Sequence, residues 1–382
     1  MNKIYLDSAS TTPVCQAAKE AAISAMDNFG NPSSMHQLGL DAERMVSTAR
    51  ATIAKIINAK PSEIYFTSSG TEANNMAILG GAKMPVGAGI ITTRAEHPSI
   101  KAPVLALEQK GFKMFHVEHF GDKIDPRGFA AHFAPVSLVS IYHVHNETGT
   151  VQDIAALAKI IRAAYPGALF HVDAVQGFCK LPIDVRAWDV DMLSISAHKI
   201  GGLKGCGALY VRDGVHVAPL MLGGGQESGY RSGTENVPGI VAMAAAASQR
   251  FEKMCENYDY VTQLKERFIK TIAGAKVGID VNCEDASPYI LNISISGVRP
   301  EVLLNALSAQ GIYISAGAAC SNNKKQKKED EMLLMAFGLS GERAQTAVRI
   351  SFSAENTIEE IDFATKAFAQ CVINLQKIRR LR

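Results

Sequence analysis

The sequence predicts an α/β protein: a mainly parallel sheet covered by helices, followed by a smaller α+β unit. Three observations carry this. Apolar runs at 64–67, 89–93, 134–143, 168–172 and 190–195 alternate with helical stretches. Most of these runs are near-continuously apolar, which means burial on both faces and hence a parallel sheet. At 255–278 the pattern stops and a long polar helix intervenes, marking a junction between two units.

The composition bounds the function. At 382 residues the chain has room for about two domains. With 20% charged residues and a net charge of +2, nothing calls for a nucleic-acid or membrane surface as partner. No apolar run is long enough to span a bilayer. The opening MNKIYLD has no apolar signal core, so no secretion signal is expected. The seven cysteines are scattered without a C-x-x-C pair. That predicts free thiols in a reducing cytoplasm, with neither a disulfide framework nor a zinc site.

In chain order, Ile4 to Leu6 is a short strand that ends at Asp7 in the small polar run SASTTP. Gln16 to Met26 is helical, and from Leu38 to Ile57 apolar residues recur at helical spacing. Ile64 to Thr67 is a strand, Ser68 to Thr71 a tight polar turn, and Glu72 onward a helix. Such a turn reads first as a helix N-cap and second as an anion cradle of free N–H groups and hydroxyls. Neither usual nucleotide-loop motif is present.

Later strands lead to Glu96-His97-Pro98, to His145-Asn146-Glu147, to Asp173 with AVQG, and to Ser196-Ala197-His198-Lys199. In parallel sheets ligands bind beyond the carboxyl ends of the strands. Ser69, Gly70, Thr71, His97, Asn146, Asp173, Gln176, Ser196, His198 and Lys199 all fall there, so they predict one shared site. Lys199 opens into a glycine turn. Taken alone it is either a surface lysine or a partly desolvated amine of lowered pKa, fit for a Schiff base. His143 and His145 alternate on a strand with no further ligand set, so both are expected to be structural, and no metal is expected. Asp184, Asp189 and Asp191 are expected on loops and solvated faces.

The stretch 221–239 is dense in glycine and predicts an exposed functional loop. The run from Ile240 to Met254 is helical. The second unit opens on YILNISISGV, which alternates as a half-buried strand. Pro300 starts a helix, GIYISAGAAC leads to Cys320, and AVRISF is a strand carrying Arg349. Thr357 with Glu360 forms a capping box for the last helix. Alone, Cys320 reads first as a buried structural thiol.

Pyridoxal phosphate (PLP) chemistry needs a lysine, a carboxylate for the ring nitrogen, a phosphate cradle and a ring that stacks. Lys199, Asp173, Ser69-Gly70-Thr71 and His97 offer that set. Together with the ordered runs YLDSASTTP, GNPSSMHQLG, FTSSGTEANN, AEHPS, HNETG, HVDAVQG, SISAHKIGG, YRSGTEN, GAACS and VRISF, they make the chain resemble the NifS/IscS-type cysteine desulfurases over nearly its whole length.

The resemblance implies a fold-type I PLP-dependent transferase. Its large PLP-binding unit, with a mainly parallel seven-stranded sheet, would span 14–254; a small unit carrying the cysteine loop would comprise 1–13 and 255–382. It implies that Lys199 forms the Schiff base and shuttles protons, that Asp173 pairs with the ring nitrogen, that Gln176 bonds the ring hydroxyl and that His97 stacks on the ring. Gly70, Thr71, Ser196 and His198 would hold the phosphate, with Thr234 reaching across a homodimer. Asn146 and Arg349 would bind the carboxylate of L-cysteine. Cys320 would be the nucleophile, so the resemblance reverses its bland reading. The persulfide it forms would pass to an acceptor for iron–sulfur cluster assembly or tRNA thiolation. The alternatives on the same scaffold are a selenocysteine lyase and a non-catalytic PLP-fold binding protein. The basic run Lys324, Lys325, Lys327 and Lys328 reads as a solvated loop face or as a steering patch for an acidic acceptor.

Overall fold

The apolar runs do pair into a single large sheet. The computed structural model describes residues 3–82, 88–131, 135–275, 277–283, 285–316 and 331–380. The strands are β1 (Ile4–Tyr5), β2 (Ile64–Thr67), β3 (Gly89–Thr93), β4 (Lys113–Val117), β5 (His119–Phe120), β6 (Lys123–Ile124), β7 (Val136–Tyr142), β8 (Leu169–Asp173), β9 (Met192–Ser196), β10 (Gly207–Val211), β11 (Ile279–Val281), β12 (Ile290–Ile295), β13 (Ile312–Tyr313) and β14 (Ala347–Ser351). The helices used below are α1 (Gln16–Asp27), α2 (Gln37–Ile56), α3 (Gly70–Asn75), α4 (Pro98–Glu108), α5 (Ile154–Ala164), α6 (Val237–Glu252), α7 (Met254–Gly274) and α8 (Pro300–Ser308), with a C-terminal helix Ile358–Arg380.

Seven strands run in the order β2-β10-β9-β8-β7-β3-β4. Every neighbouring pair is parallel except the two made by β10. That strand follows β9 through the glycine turn at 201–207, too short for a parallel crossover, so the chain reverses. Successive side chains point to opposite faces. Ala208 and Tyr210 join one apolar cluster, which includes residues of α1, α2, α5 and α6. Leu209 and Val211 join the other, which includes residues of α3 and α4. Within the sheet His171 bridges Ser140 and Ser194 at 2.9 Å each, so its buried ring is satisfied.

A second sheet, β11-β12-β14, is antiparallel. The first residues return to this part: β1 pairs in parallel with β13, and Ile4 and Leu6 sit in its apolar cluster beside residues of α7, α8 and the C-terminal helix. The alternation in YILNISISGV predicted a half-buried strand, but all six residues of β12 are buried. Its apolar side chains join that cluster, while Asn282 donates to Asn292 (2.6 Å) and Ser294 (2.7 Å) and satisfies the polar ones. Asp191, expected on a solvated face, is also buried. It accepts from the Phe170 N–H at 2.8 Å and pairs with Arg162 at 2.8 Å.

Element ends agree closely with the sequence, with physical reasons for the shifts. The helix expected from Glu72 starts at Gly70, because Ser69 caps it by accepting from the Glu72 N–H at 3.1 Å. Asn236 caps α6, which therefore begins three residues before Ile240. The Thr357–Glu360 capping box closes with two bonds of 3.2 Å. Among the described residues no helix is long and apolar enough to cross a membrane.

Candidate active site

A cavity of about 510 Å³ opens beyond the carboxyl ends of the parallel strands. It is lined by Ser69, Gly70, Thr71, His97, Asn146, Asp173, Gln176, Ser196, His198, Lys199 and Arg349, eleven of the thirteen site candidates singled out from the sequence. Thr234 is not among them: it lines a separate pocket with Ser68, Gly205 and Asn236. Cys320 lies outside the described residues, as do Lys324, Lys325, Lys327 and Lys328. The segment leading toward Cys320 is at the site, since Ser315 and Ala316 line the cavity and Ser315 exchanges backbone bonds of 3.0 and 2.8 Å with Arg349.

Lys199 ends the single turn that follows β9. Its amine donates to the carbonyls of Ala9 and Ser10, at 2.7 Å each. Burial disfavours its charge, the Arg349 guanidinium repels it, and Asp7 and Asp173 oppose both effects; the result is a pKa lowered to about 8. Near neutral pH a useful fraction is therefore free amine, held on a rigid element.

Asp173 ends β8. Its two carboxylate oxygens accept from Asn74 Nδ2 (2.8 Å) and from the Val175 N–H (3.0 Å). His97 caps α4, with Nδ1 accepting from the Ser99 N–H at 3.1 Å, and burial lowers its pKa. Burial, followed by the nearby Lys199 charge, lowers the pKa of His198 to about 4, so this ring is neutral at pH 7; its Nδ1 meets Thr11 Oγ1 at 3.1 Å. The Gly70 backbone lies so close to its surroundings that a Cβ there would come within 2.7 Å of Val175 Cγ2 and 3.2 Å of Ser196 Cβ. Ser196 Oγ is buried without a hydrogen-bond partner.

Arg349, on β14, is buried and its guanidinium spans several acceptors. It donates to Asp7 (2.9 Å), Ser10 Oγ (2.6 Å), Glu147 (2.5 Å) and the Asn146 carbonyl (3.0 Å). The Asn146 amide donates to Glu147 at 2.9 Å. A forked cation of this kind suits a carboxylate ligand.

Single-residue reasoning missed Asp7, Ser10, Asn74, Ser99 and Glu147. Asn74 had a signal: it stands four residues after Gly70 in a helix and so shares its face. Asp7 and Ser10 lie in the run YLDSASTTP, but nothing local paired them with Arg349, which is about 340 residues away. His143 packs edge-on to Trp188 at 4.8 Å, and His145 bonds the Ala95 carbonyl at 2.9 Å. Both are buried with lowered pKa values, and among the described residues no group of three or more potential ligands could hold a metal.

Comparison with known proteins accords with this geometry. The family described as aminotransferase class-V matches residues 4–363. A Bacillus subtilis (strain 168) protein named "Putative cysteine desulfurase IscS 1" is 38% identical over 98% of this chain and 100% of its own length. The solved structure titled "NIFS-LIKE PROTEIN" superposes with a TM-score of 0.90 at 34% identity, covering 97% of this chain and 99% of that one. "SspA in complex with cysteine" gives a TM-score of 0.80 at 33% identity, covering 93% of this chain and 100% of that one.

Proposed function

The chain belongs to the class-V aminotransferase family, and on that premise we propose that it is a cysteine desulfurase, taking sulfur from L-cysteine to give L-alanine and a persulfide on Cys320. The observation that carries the reading is one cavity holding a lysine of lowered pKa, a buried aspartate fixed by two donors, and a buried arginine.

The residues present fit pyridoxal 5′-phosphate. Ser196 Oγ is a buried hydroxyl that lacks a partner, and the wall at Gly70 leaves no room for a Cβ. Asp173 is a buried carboxylate with its oxygens already oriented. In this reading Lys199 holds the cofactor covalently, Asp173 faces the ring nitrogen, Gln176 the ring oxygen and His97 the ring face. Gly70, Thr71, Ser196 and His198 take the phosphate. When bound, the cofactor supplies an electron sink for the charge left as the substrate's Cα–H bond breaks.

The chain's own residues do the rest. Arg349 and Asn146 hold the substrate carboxylate. Lys199, released as the substrate amine takes its place, then accepts the α-proton as the free amine. The Cys320 thiolate then attacks the substrate sulfur: an S–S bond forms as the C–S bond breaks, and the electron pair stays with carbon. Protonation of that carbon, and return of a proton from Lys199 to Cα, completes alanine. Cys320 is four residues beyond Ala316, a span of at most about 14 Å, so it can reach the cavity. The persulfide passes to an acceptor protein for iron–sulfur cluster assembly or tRNA thiolation, in the cytoplasm, where the free cysteines stay reduced.

We also retain the division into 14–254 and 1–13 with 255–382 as functional units, and a homodimer in which Thr234 of the partner subunit completes the phosphate site. In support, Thr234 lines a pocket separate from its own chain's cavity, and Phe29, Met35 and Leu222 are 80%, 95% and 83% exposed.

The test is Cys320→Ala. It is expected to bind pyridoxal 5′-phosphate and release almost no alanine from cysteine, while keeping some activity on selenocysteine, whose selenium leaves without a protein nucleophile. Mass spectrometry of the unmodified chain after one turnover is expected to show one added sulfur on Cys320. Desulfuration of cysteine by the variant at the full rate overturns the reading in favour of a selenocysteine lyase or simple elimination.

A further inference from the structure

Lys180 is a buried amine that the reaction above leaves unused. It does not line the cavity but stands four residues after Gln176, which does, and its Nζ donates to Gln176 Oε1 at 3.2 Å. Gln176 Nε2 in turn donates to the Ala9 carbonyl at 2.8 Å, the same carbonyl that accepts from Lys199 at 2.7 Å. An ammonium or amine donor on one side and a carbonyl on the other admit only one orientation of the Gln176 amide: oxygen toward Lys180, nitrogen toward the site.

Among the described residues no carboxylate forms an ion pair with Lys180. The titratable and charged groups that act on Lys180 are Lys199, Arg250, Arg349 and the Cys179 thiol, with the Tyr289 ring 5.7 Å from its amine. Arg250 is itself paired with Glu355 at 2.5 Å. Desolvation, reinforced by the three cations, lowers the Lys180 pKa to about 7. Burying a lysine on such terms costs stability that a methionine in its place would not cost. Lys180 and Lys199 also line one further small cavity, of about 20 Å³, so the two amines belong to a single environment.

We propose that Lys180 is a positioning residue: by holding the oxygen of the Gln176 amide, it turns the amide N–H groups toward Ala9 and the ring-oxygen position of the cofactor. This inference rests on the cofactor reading above. With the donor fixed, the ring oxygen is stabilised as an anion and the site holds its shared proton less tightly. Without Lys180 the amide can rotate, the anion loses a donor, and the proton is held more tightly.

The experiment is a pH titration of the visible band of the protein loaded with pyridoxal 5′-phosphate, which needs no turnover. Lys180→Met is expected to raise the midpoint by about 0.4–1 unit, the worth of one net hydrogen bond. Gln176→Leu is expected to raise it similarly, and the double variant no further than either alone. Lys180→Gln keeps a donor without the charge and is expected to stay near the original midpoint; if the methionine variant does not fold, Lys180→Ala serves in its place, with the same rise expected. An unmoved midpoint in Lys180→Met, additive shifts in the double variant, or a shift in Lys180→Gln as large as in Lys180→Met each overturn the proposal. A colourless unmodified protein overturns the cofactor reading and this inference with it.

Discussion

At the scale of single residues, burial sets the charges. Arg349 illustrates how geometry adds to charge: its fork spans Asp7 on one side and Glu147 on the other, so a substrate carboxylate must compete for both nitrogens. Arg349→Lys replaces the fork by a point charge and is expected to raise KM for cysteine about tenfold or more, with a smaller effect on kcat. An unchanged KM would move the carboxylate site elsewhere. Glu96 is the opposite case. It is fully buried beside Thr93, and desolvation raises its pKa to about 8, with Asp173 adding to the rise. A raised folded pKa means that the folded state binds the proton more tightly than the unfolded one. Its stabilising contribution is then complete below about 4.5 and is lost as the pH climbs to 8. Glu96→Gln is expected to flatten that decline in the apoprotein by on the order of a few kcal/mol, read from urea unfolding at pH 5 and pH 8. Parallel curves for the two proteins would show that Glu96 is ionised in the fold. Lys199 runs the other way: its folded pKa is lowered from 10.5 to about 8, so it contributes stability that grows as the pH rises between those values.

At the scale of elements, most boundaries were legible because they are local. Ser69, Asn236 and the Thr357–Glu360 pair terminate helices through bonds spanning three residues, which a sequence displays directly. What was not legible is long-range pairing. The stretch 221–239 read as an exposed polar loop, yet Glu227 within it is buried. It accepts from Arg50 at 2.7 and 2.8 Å and from the Phe66 N–H at 2.9 Å. These bonds anchor the loop that carries Thr234 to α2 and β2, and Glu227 keeps a left-handed φ of 48° to make them. Nothing local in GQESGY announces a partner some 160–180 residues away. Glu227→Ala removes the carboxylate, leaving the Phe66 N–H unpaired and the Arg50 guanidinium with the Ile64 carbonyl but no counter-charge, so a loss of about 3–5 kcal/mol is expected in urea unfolding. A loss below about 1 kcal/mol would mean that water reaches the pair and that the loop is not anchored there.

At the scale of the whole molecule, the sequence revealed the sheet and the rim because both follow from one rule: apolar strands stack in parallel, and the polar residues at their ends converge. Asp173, Ser196 and Lys199 needed no long-range information to be found. Thr234 did, because its pocket is separate from the cavity it was assigned to, and the reading of it as a cross-subunit contact depends on a second copy of the chain. The homodimer is therefore the prediction that joins the scales. Light scattering is expected to give twice the 41.0 kDa chain mass. Thr234→Val is expected to fold and to dimerise, since its side chain is exposed and keeps its volume, but to bind pyridoxal 5′-phosphate about ten- to a hundredfold more weakly through one lost hydrogen bond to a charged group. Mixing makes the sharing visible. A Lys199→Ala chain cannot hold the cofactor covalently but can lend its Thr234, while a Thr234→Val chain has its own Lys199. In a mixed dimer one site carries both defects and the other carries neither. Exchange of subunits between the two variants is then expected to restore up to half of the sites to normal affinity. A stable, fully active monomer, or mixed dimers with no recovered site, would place the phosphate contact within one chain and leave Thr234 without a role in it.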